Sequence, residues 1–352
     1  MQNKTKLKKI LTTVPLILFL LSLLFIFSGC PSAHKFTLYL FSTYAPGNVY
    51  TFDLQSNTCS SVPVFNYNTD AGDSAYFYGG KGYIAAASFT DPKLLMFDPA
   101  ASTITSSAFV FEAYEWMGGP SSIVFLSPTK AYVTDSGSYD GSNPNNDGGV
   151  IIFDPSDTGS TWTKIAGIEA NCQGMVYIAS KNKVYVANSG SSTVFVINTT
   201  TDLVDHEITV AENPKSIVAL DDGSKIYVGC YNANEIWEVD TSTDVAKSII
   251  SETSETWAMA IEDTKVYYSG WFSGPCYIDV SEESPTETPI TTKKGSGANL
   301  LIYNNKLYMS QPDFAEGQST LTVVDLSDNS EINGSPFNVG TEGDAITGLA
   351  VY

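Results

Sequence analysis

Acidic and aromatic side chains recur side by side along this 352-residue chain, and these groupings are where its chemistry would be done. Glu112, Glu115 and Trp116 form one group, and Asp135, Tyr139 and Asp140 a second. Trp271 and Phe272 are adjacent, as are Asp313 and Phe314; Tyr44, Tyr231 and Trp257 stand alone in polar stretches. Flat rings among fixed negative charges suit a sugar face or a cationic protein segment. Other chemistries lack their residues. The 38 acids face 18 cations, all of them lysine, for a net charge of −20. Nucleic acid is thereby excluded as a partner, because its phosphates need dense positive charge. Two histidines, His34 and His206, cannot build a multi-histidine metal site, and no Cys-x-x-Cys occurs. A histidine-based triad is equally unsupported, with His34 near the amino terminus and His206 in an expected outer turn. Carboxylate catalysis stays open, since acids are abundant, but abundance does not make a pair.

The run Asn143-Pro144-Asn145-Asn146-Asp147-Gly148, with Asp154 further on, has the outline of a calcium loop. Two of its first three ligand positions are neutral, so a polar inserted loop is the expectation and no cofactor is assigned; calcium at residues 143–148 is the alternative.

The elements that position these residues follow a leader. Lys4, Lys6, Lys8 and Lys9 precede an apolar run from Ile10 to Phe27, the pattern of an export signal. The run ends in Phe27-Ser28-Gly29-Cys30, which resembles the bacterial lipoprotein signal, with Phe27 where leucine is usual. The resemblance implies cleavage after residue 29 and a lipid on Cys30. Residues 1–29 are then the signal peptide, 30–35 the tether, and 36–352 the folded body outside the cytoplasm, in the cell envelope or at its surface. The alternative is an uncleaved membrane anchor.

Self-similarity organises the rest. A tyrosine in a short apolar strand recurs at Tyr39, Tyr83, Tyr132, Tyr185, Tyr227, Tyr267 and Tyr308, and in six of seven cases a lysine stands two residues before it. Each such strand leads to a second that ends in Asp or Asn: Asp53, Asp98, Asp154, Asn198, Asp240, Asp279 and Asp325. These seven read as turn-capping residues, not as an acidic site. Four short strands per period predict a seven-bladed, all-β propeller with almost no helix. With strands lettered A to D from the axis outward, Tyr39 lies on a B strand that lacks its A strand. Ala345–Val351 is an A strand that lacks its B, so the carboxy-terminal strand is expected to close the ring.

The stretch Lys183-Val184-Tyr185-Val186-Ala187-Asn188, then Val194–Asn198 and Asn213-Pro214-Lys215-Ser216-Ile217, resembles the YVTN-type β-propeller repeat of surface-layer and related extracytoplasmic proteins. That resemblance supports the fold and implies no catalytic residue. Asp157-Thr158-Gly159-Ser160-Thr161-Trp162 is similar to the Asp box of sialidases, a turn staple; without arginine to grip the substrate carboxylate, a sialidase is excluded.

Strand polarity sorts the loops. A–B and C–D turns share one rim, which the short tether turns toward the membrane, with Lys81, Lys130, Lys183, Lys225, Lys265 and Lys306 near it. B–C and D–A loops share the opposite rim, which collects the acids and aromatics. The expected ligand-binding residues are therefore Tyr44, Glu112, Glu115, Trp116, Asp135, Tyr139, Asp140, Tyr231, Trp257, Trp271, Phe272, Asp313 and Phe314, with Trp116, Trp257 and Trp271 as anchors. The expectation is a lipid-anchored envelope protein binding a protein segment or glycan on that rim. The alternatives are a carboxylate-dependent enzyme, lactonase- or glycan-active, and a structural surface-coat subunit. Cys59, Cys172, Cys230 and Cys276 are expected mostly as buried free thiols, with Cys172 and Cys230 the candidate pair.

Overall fold

The computed structural model describes residues 36–352 except 45, 70–71, 89–91, 111–118, 138–147, 157–161, 169–170 and 315–316, and excepting the side chains of 72–73 and 106–110. The expected signal and tether, Cys30, the loop at 143–147 and most of the Asp-box-like run lie outside these residues. Among the described residues no helix is long and apolar enough to cross a membrane.

Thr37–Tyr352 is one compact body of seven antiparallel sheets. The A strands of blades 2 to 7 are Gly72–Tyr78, Pro120–Ser127, Cys172–Ile178, Pro214–Ala219, Ala258–Glu262 and Asn299–Tyr303. Blade 1 takes its A strand, Ile346–Val351, from the carboxy terminus and its B strand, Thr37–Ser42, from the start of the body. Leu38, Tyr39 and Leu40 pair with Val351, Ala350 and Leu349, so the ring closes as the sequence predicts. Among the described residues the helical content is one three-residue turn, Ala179–Lys181.

The B strands explain the tyrosine period. Lys81–Ala86, Lys130–Asp135, Lys183–Asn188, Lys225–Cys230 and Lys306–Gln311 share one profile, a half-buried lysine followed by five buried residues. Each B strand is covered on both faces by sheet, so its apolar run is continuous and does not alternate. Burial weakens further out, where the D strands Leu203–Thr209 and Val245–Ser251 are largely exposed. Apolar clusters fill the interfaces between neighbouring blades, such as Tyr132, Met175, Val184 and Phe195 between blades 3 and 4. Burying each large apolar side chain there contributes roughly 1.5–3 kcal/mol.

The tyrosine hydroxyls join blade to blade. Tyr39 and Tyr83 donate to the carbonyls of Pro99 (3.4 Å) and Pro155 (2.9 Å) in the C–D turn of the following blade. Tyr132 donates to Asp202, and Tyr185 to Asp244 at 2.6 Å, again one blade on. The turn that presents those acids is written in the repeat. The Asp or Asn ending each C strand accepts the backbone N–H two residues later in all seven blades, for example Ala100 to Asp98 (2.8 Å) and Thr200 to Asn198 (3.0 Å). Asp202 and Asp244 then take left-handed φ angles of 58° and 54°, a region Asp and Asn tolerate.

Lysines expected near the membrane-side rim are engaged in the fold. Lys130 pairs with Asp202 (2.6 Å), Lys183 with Asp244, and Lys225 with Glu238 (2.9 Å). His206 lies on the D strand of blade 4 and not in a turn, 3.3 Å from Asp244. In blades 1 and 7 the D strand is split into two short pieces, Thr58–Cys59 with Phe65–Asn66 and Ser330–Glu331 with Phe337–Asn338. Pro63 and Pro336, which cannot donate to a ladder, stand in the gaps. All four described cysteines are free thiols, so Cys172 and Cys230 do not pair. Burial pushes the Cys230 thiol up to about 12.

Candidate functional site

Eight of the expected rim residues are described: Tyr44, Asp135, Tyr231, Trp257, Trp271, Phe272, Asp313 and Phe314. Glu112, Glu115, Trp116, Tyr139 and Asp140 lie outside the described residues.

Five of the eight form a continuous arc. Tyr231 follows the B strand of blade 5 and packs edge-on to Trp257, which precedes the A strand of blade 6, with ring centroids 5.3 Å apart. Trp257 meets Trp271, on the B–C loop of the same blade, at 5.4 Å. Trp271 meets Phe314 of blade 7 at 5.3 Å, and Phe314 meets Tyr44 of blade 1 at 5.8 Å. Phe272 is not in this chain; it projects from the loop and is 91% exposed.

One carboxylate holds the arc. Glu255 Oε1 accepts the Tyr231 hydroxyl at 3.0 Å, and Oε2 accepts the backbone N–H groups of Phe272 (2.6 Å) and Ser273 (3.1 Å). The loop passes so close that a Cβ on Gly270 would lie 2.2 Å from that of Glu255, which requires glycine there. Burial, then the Glu255 bond, raises the Tyr231 pKa above its ordinary value.

The arc borders the mouth of the central channel, where a cavity of about 320 Å³ is lined by residues from all seven blades. Its polar wall comes from equivalent positions near the start of successive A strands. Ser121 of blade 3 donates to Gln173 Oε1 of blade 4 at 3.3 Å, and Lys215 Nζ of blade 5 stands 3.4 Å from the same oxygen. Gln173 Nε2 donates to Asn171 at 2.6 Å, which orients the amide. Lys215 also sits over the Trp257 ring, 3.7 Å from its centroid, a distance at which the ring quadrupole attracts a cation. Side chains thus touch in unbroken succession from Ser121 through Gln173, Lys215, Trp257, Trp271 and Phe314 to Tyr44. Hydroxyls lock the mouth between blades: Thr134 donates to the Gln173 carbonyl (2.8 Å), Ser269 to that of Gly297 (3.1 Å) and Ser310 to that of Thr347 (3.0 Å).

Four of the described acids on this rim are hydrogen-bonded to their own loops or to neighbouring side chains, while Glu212, Glu252 and Glu342 are exposed. Asp135 is buried and accepts the Gly137 N–H at 3.0 Å. Asp313 accepts the Gly317 N–H at 3.3 Å within its own loop. Asp344 is buried and accepts the Tyr50 hydroxyl at 2.6 Å and the Asn48 amide at 2.9 Å. With Glu255, these carboxylates shape loops. Among the described residues none of them lines the cavity, and no group of three His, Cys, Asp or Glu is placed to hold a metal ion. Sequence reading missed Ser121, Gln173 and Asn299 in the cavity wall. The signal that would have found Ser121 and Gln173 is positional, since together with Lys215 and Trp257 they stand at or just before the start of the A strand in consecutive blades.

No protein-family model matches the sequence. No curated protein matches it. Solved structures do match in fold. The periplasmic gluconolactonase PpgL of Pseudomonas aeruginosa superposes with a TM-score of 0.70 at 11% identity, over 90% of this chain and 98% of that one. A Bacteroides fragilis protein assigned as a 6-phosphogluconolactonase gives 0.66 at 12%, over 92% and 99%. A Lactobacillus plantarum protein gives 0.64 at 13%, over 90% and 99%. At such identities the likeness is one of architecture, and the architecture is a seven-bladed β-propeller.

Proposed function

We propose that this chain is an extracytoplasmic lipoprotein whose propeller binds a carbohydrate at the channel mouth. The observation that carries the reading is the unbroken succession from Ser121, Gln173 and Lys215 to Trp257 and Trp271 around a cavity of about 320 Å³. Hydroxyl, amide and ammonium groups there offer donors and acceptors to sugar hydroxyls, and the indole rings offer apolar faces to sugar C–H groups. A cationic protein segment suits this mouth less well, because no carboxylate among the described residues lines the cavity, and Glu255 and Asp313 beside it are engaged by loop backbone. The test is titration of the full-length protein, in a sugar-free detergent, against a panel of hexoses, hexuronic acids and their oligomers, followed by tryptophan fluorescence. Neutral-sugar binding persists at high salt, whereas a basic segment would lose affinity as salt rises. Cys30→Ser tests the anchor: the lipid-anchored reading requires loss of acyl labelling and release from the membrane fraction.

A second reading, hydrolysis of a sugar lactone, is favoured by the shared architecture with gluconolactonase propellers. It uses the same mouth and needs a group to activate water. Steady turnover of a glucono- or galactonolactone, abolished by Lys215→Met or Gln173→Ala, would establish it over simple binding.

A further inference from the structure

Beside the channel-mouth cavity the rim holds a second concavity of different chemistry. It measures about 250 Å³ and is lined by Trp271, Phe272, Pro312 and Phe314 over a floor of Gly297 and Ala298. Trp271 and Ala298 belong to both cavities, so the indole is the partition between a polar chamber and an apolar one. The apolar chamber is built and not incidental. Phe272 is 91% exposed, yet its backbone N–H is bound to Glu255 Oε2 at 2.6 Å, so the ring is held out in solvent by its main chain. Phe314, 45% exposed, is oriented by Trp271 on one side and Tyr44 on the other. The floor is fixed in place because Gly297, having no side chain, packs its backbone directly on the buried Met309; a Cβ there would lie 2.2 Å from Met309 Cγ. Single exposed apolar residues need no explanation, but two exposed rings facing one cleft beside a polar cavity do.

We infer that the ligand is bipartite: a sugar seated in the polar chamber that carries an aromatic or short acyl substituent lying across Trp271 in the apolar one. This rests on the carbohydrate reading and adds the substituent to it. A benzene-sized group needs only about 150 Å³, so the chamber takes one ring or a few methylenes, and not a long chain.

Matched methyl and phenyl hexopyranosides, titrated calorimetrically against the full-length protein in sugar-free detergent, test the inference. Burying a phenyl ring should make the phenyl glycoside bind about tenfold tighter than its methyl partner. Phe272→Ala and Phe314→Ala should each bring that ratio toward one. A ratio near one in the unaltered protein, or a ratio unmoved by both substitutions, overturns the bipartite ligand while leaving the sugar site standing. Phenol binding as tightly as phenyl glycoside overturns it as well, since the chamber would then act alone. Failure of every hexoside to bind removes the carbohydrate reading, and this inference with it.

Discussion

The Tyr185 hydroxyl in blade 4 donates to Asp244 Oδ1 in blade 5 at 2.6 Å, and Lys183 and His206 converge on the other oxygen of the same carboxylate. One acid on a C–D turn therefore ties three side chains of the preceding blade to the next.

Removing the donor should expose the cost of that tie. Tyr185→Phe leaves the ring packed and takes away one hydrogen bond to a half-buried carboxylate, so destabilisation of about 1–3 kcal/mol is expected. Asp244→Ala should cost more, because Tyr185 and Lys183 both lose their acceptor. Thermal and urea denaturation of the two variants check the order; a Tyr185→Phe protein as stable as the parent would show the bond to be incidental.

The buried tyrosines and thiols predict alkaline sensitivity. Burial lifts Tyr83, Tyr267 and Tyr308 from 10.0 to about 12, and Cys59 and Cys276 from 9.0 to about 11. The fold holds these groups protonated while the unfolded chain releases its protons nearer 9.0 and 10.0. Their contribution to stability is thus complete below pH 9 and is lost as pH rises from there through about 12. The urea midpoint should hold steady at neutral pH and fall progressively above pH 9; a flat profile would contradict the burial assigned to these groups.

Asp344 makes the opposite prediction. Burial would raise its carboxyl, but donors from Tyr50, Thr341 and Asn48 outweigh that and hold it below the ordinary 3.8. Its contribution is present above that value and lost as pH falls through the folded one. Asp344 lies two residues before the strand that closes the ring, so Asp344→Asn should destabilise by about 1–3 kcal/mol and flatten the acid limb of the stability profile. Truncation after Gly343 should abolish cooperative unfolding, since Ile346–Val351 is the A strand of blade 1. Survival of a sharp transition in that truncation would mean the ring closes another way.

At the channel mouth, Gln173→Ala removes the oxygen shared by Ser121 and Lys215, and Trp271→Ala removes the wall between the two chambers. Sugar affinity is expected to fall about tenfold for the first and about thirtyfold or more for the second. Fluorescence titration measures both, with circular dichroism confirming that each variant remains folded. Unchanged affinity in both would move the site away from the mouth.

Blade number, strand order and ring closure were determined by the sequence, because each blade repeats the same local instructions. A buried tyrosine marks strand B, and an Asp or Asn caps the turn after strand C, as Asp98 and Asn198 do. Strand polarity then assigned Tyr44, Tyr231, Trp257, Trp271 and Phe314 to one rim. Their contact with one another was decided by the tertiary structure alone: Tyr44 and Phe314 are 270 positions apart and meet only because the ring closes. The direction of each carboxylate was equally hidden. Glu255 and Asp344 lie among the acids of that rim, yet both turn inward to satisfy backbone and hydroxyl donors. A repeat encodes what each blade does within itself, through period, burial and turn chemistry. What neighbouring blades place against one another depends on loop conformations outside the period, and those are set by hydrogen-bond demand in the closed ring.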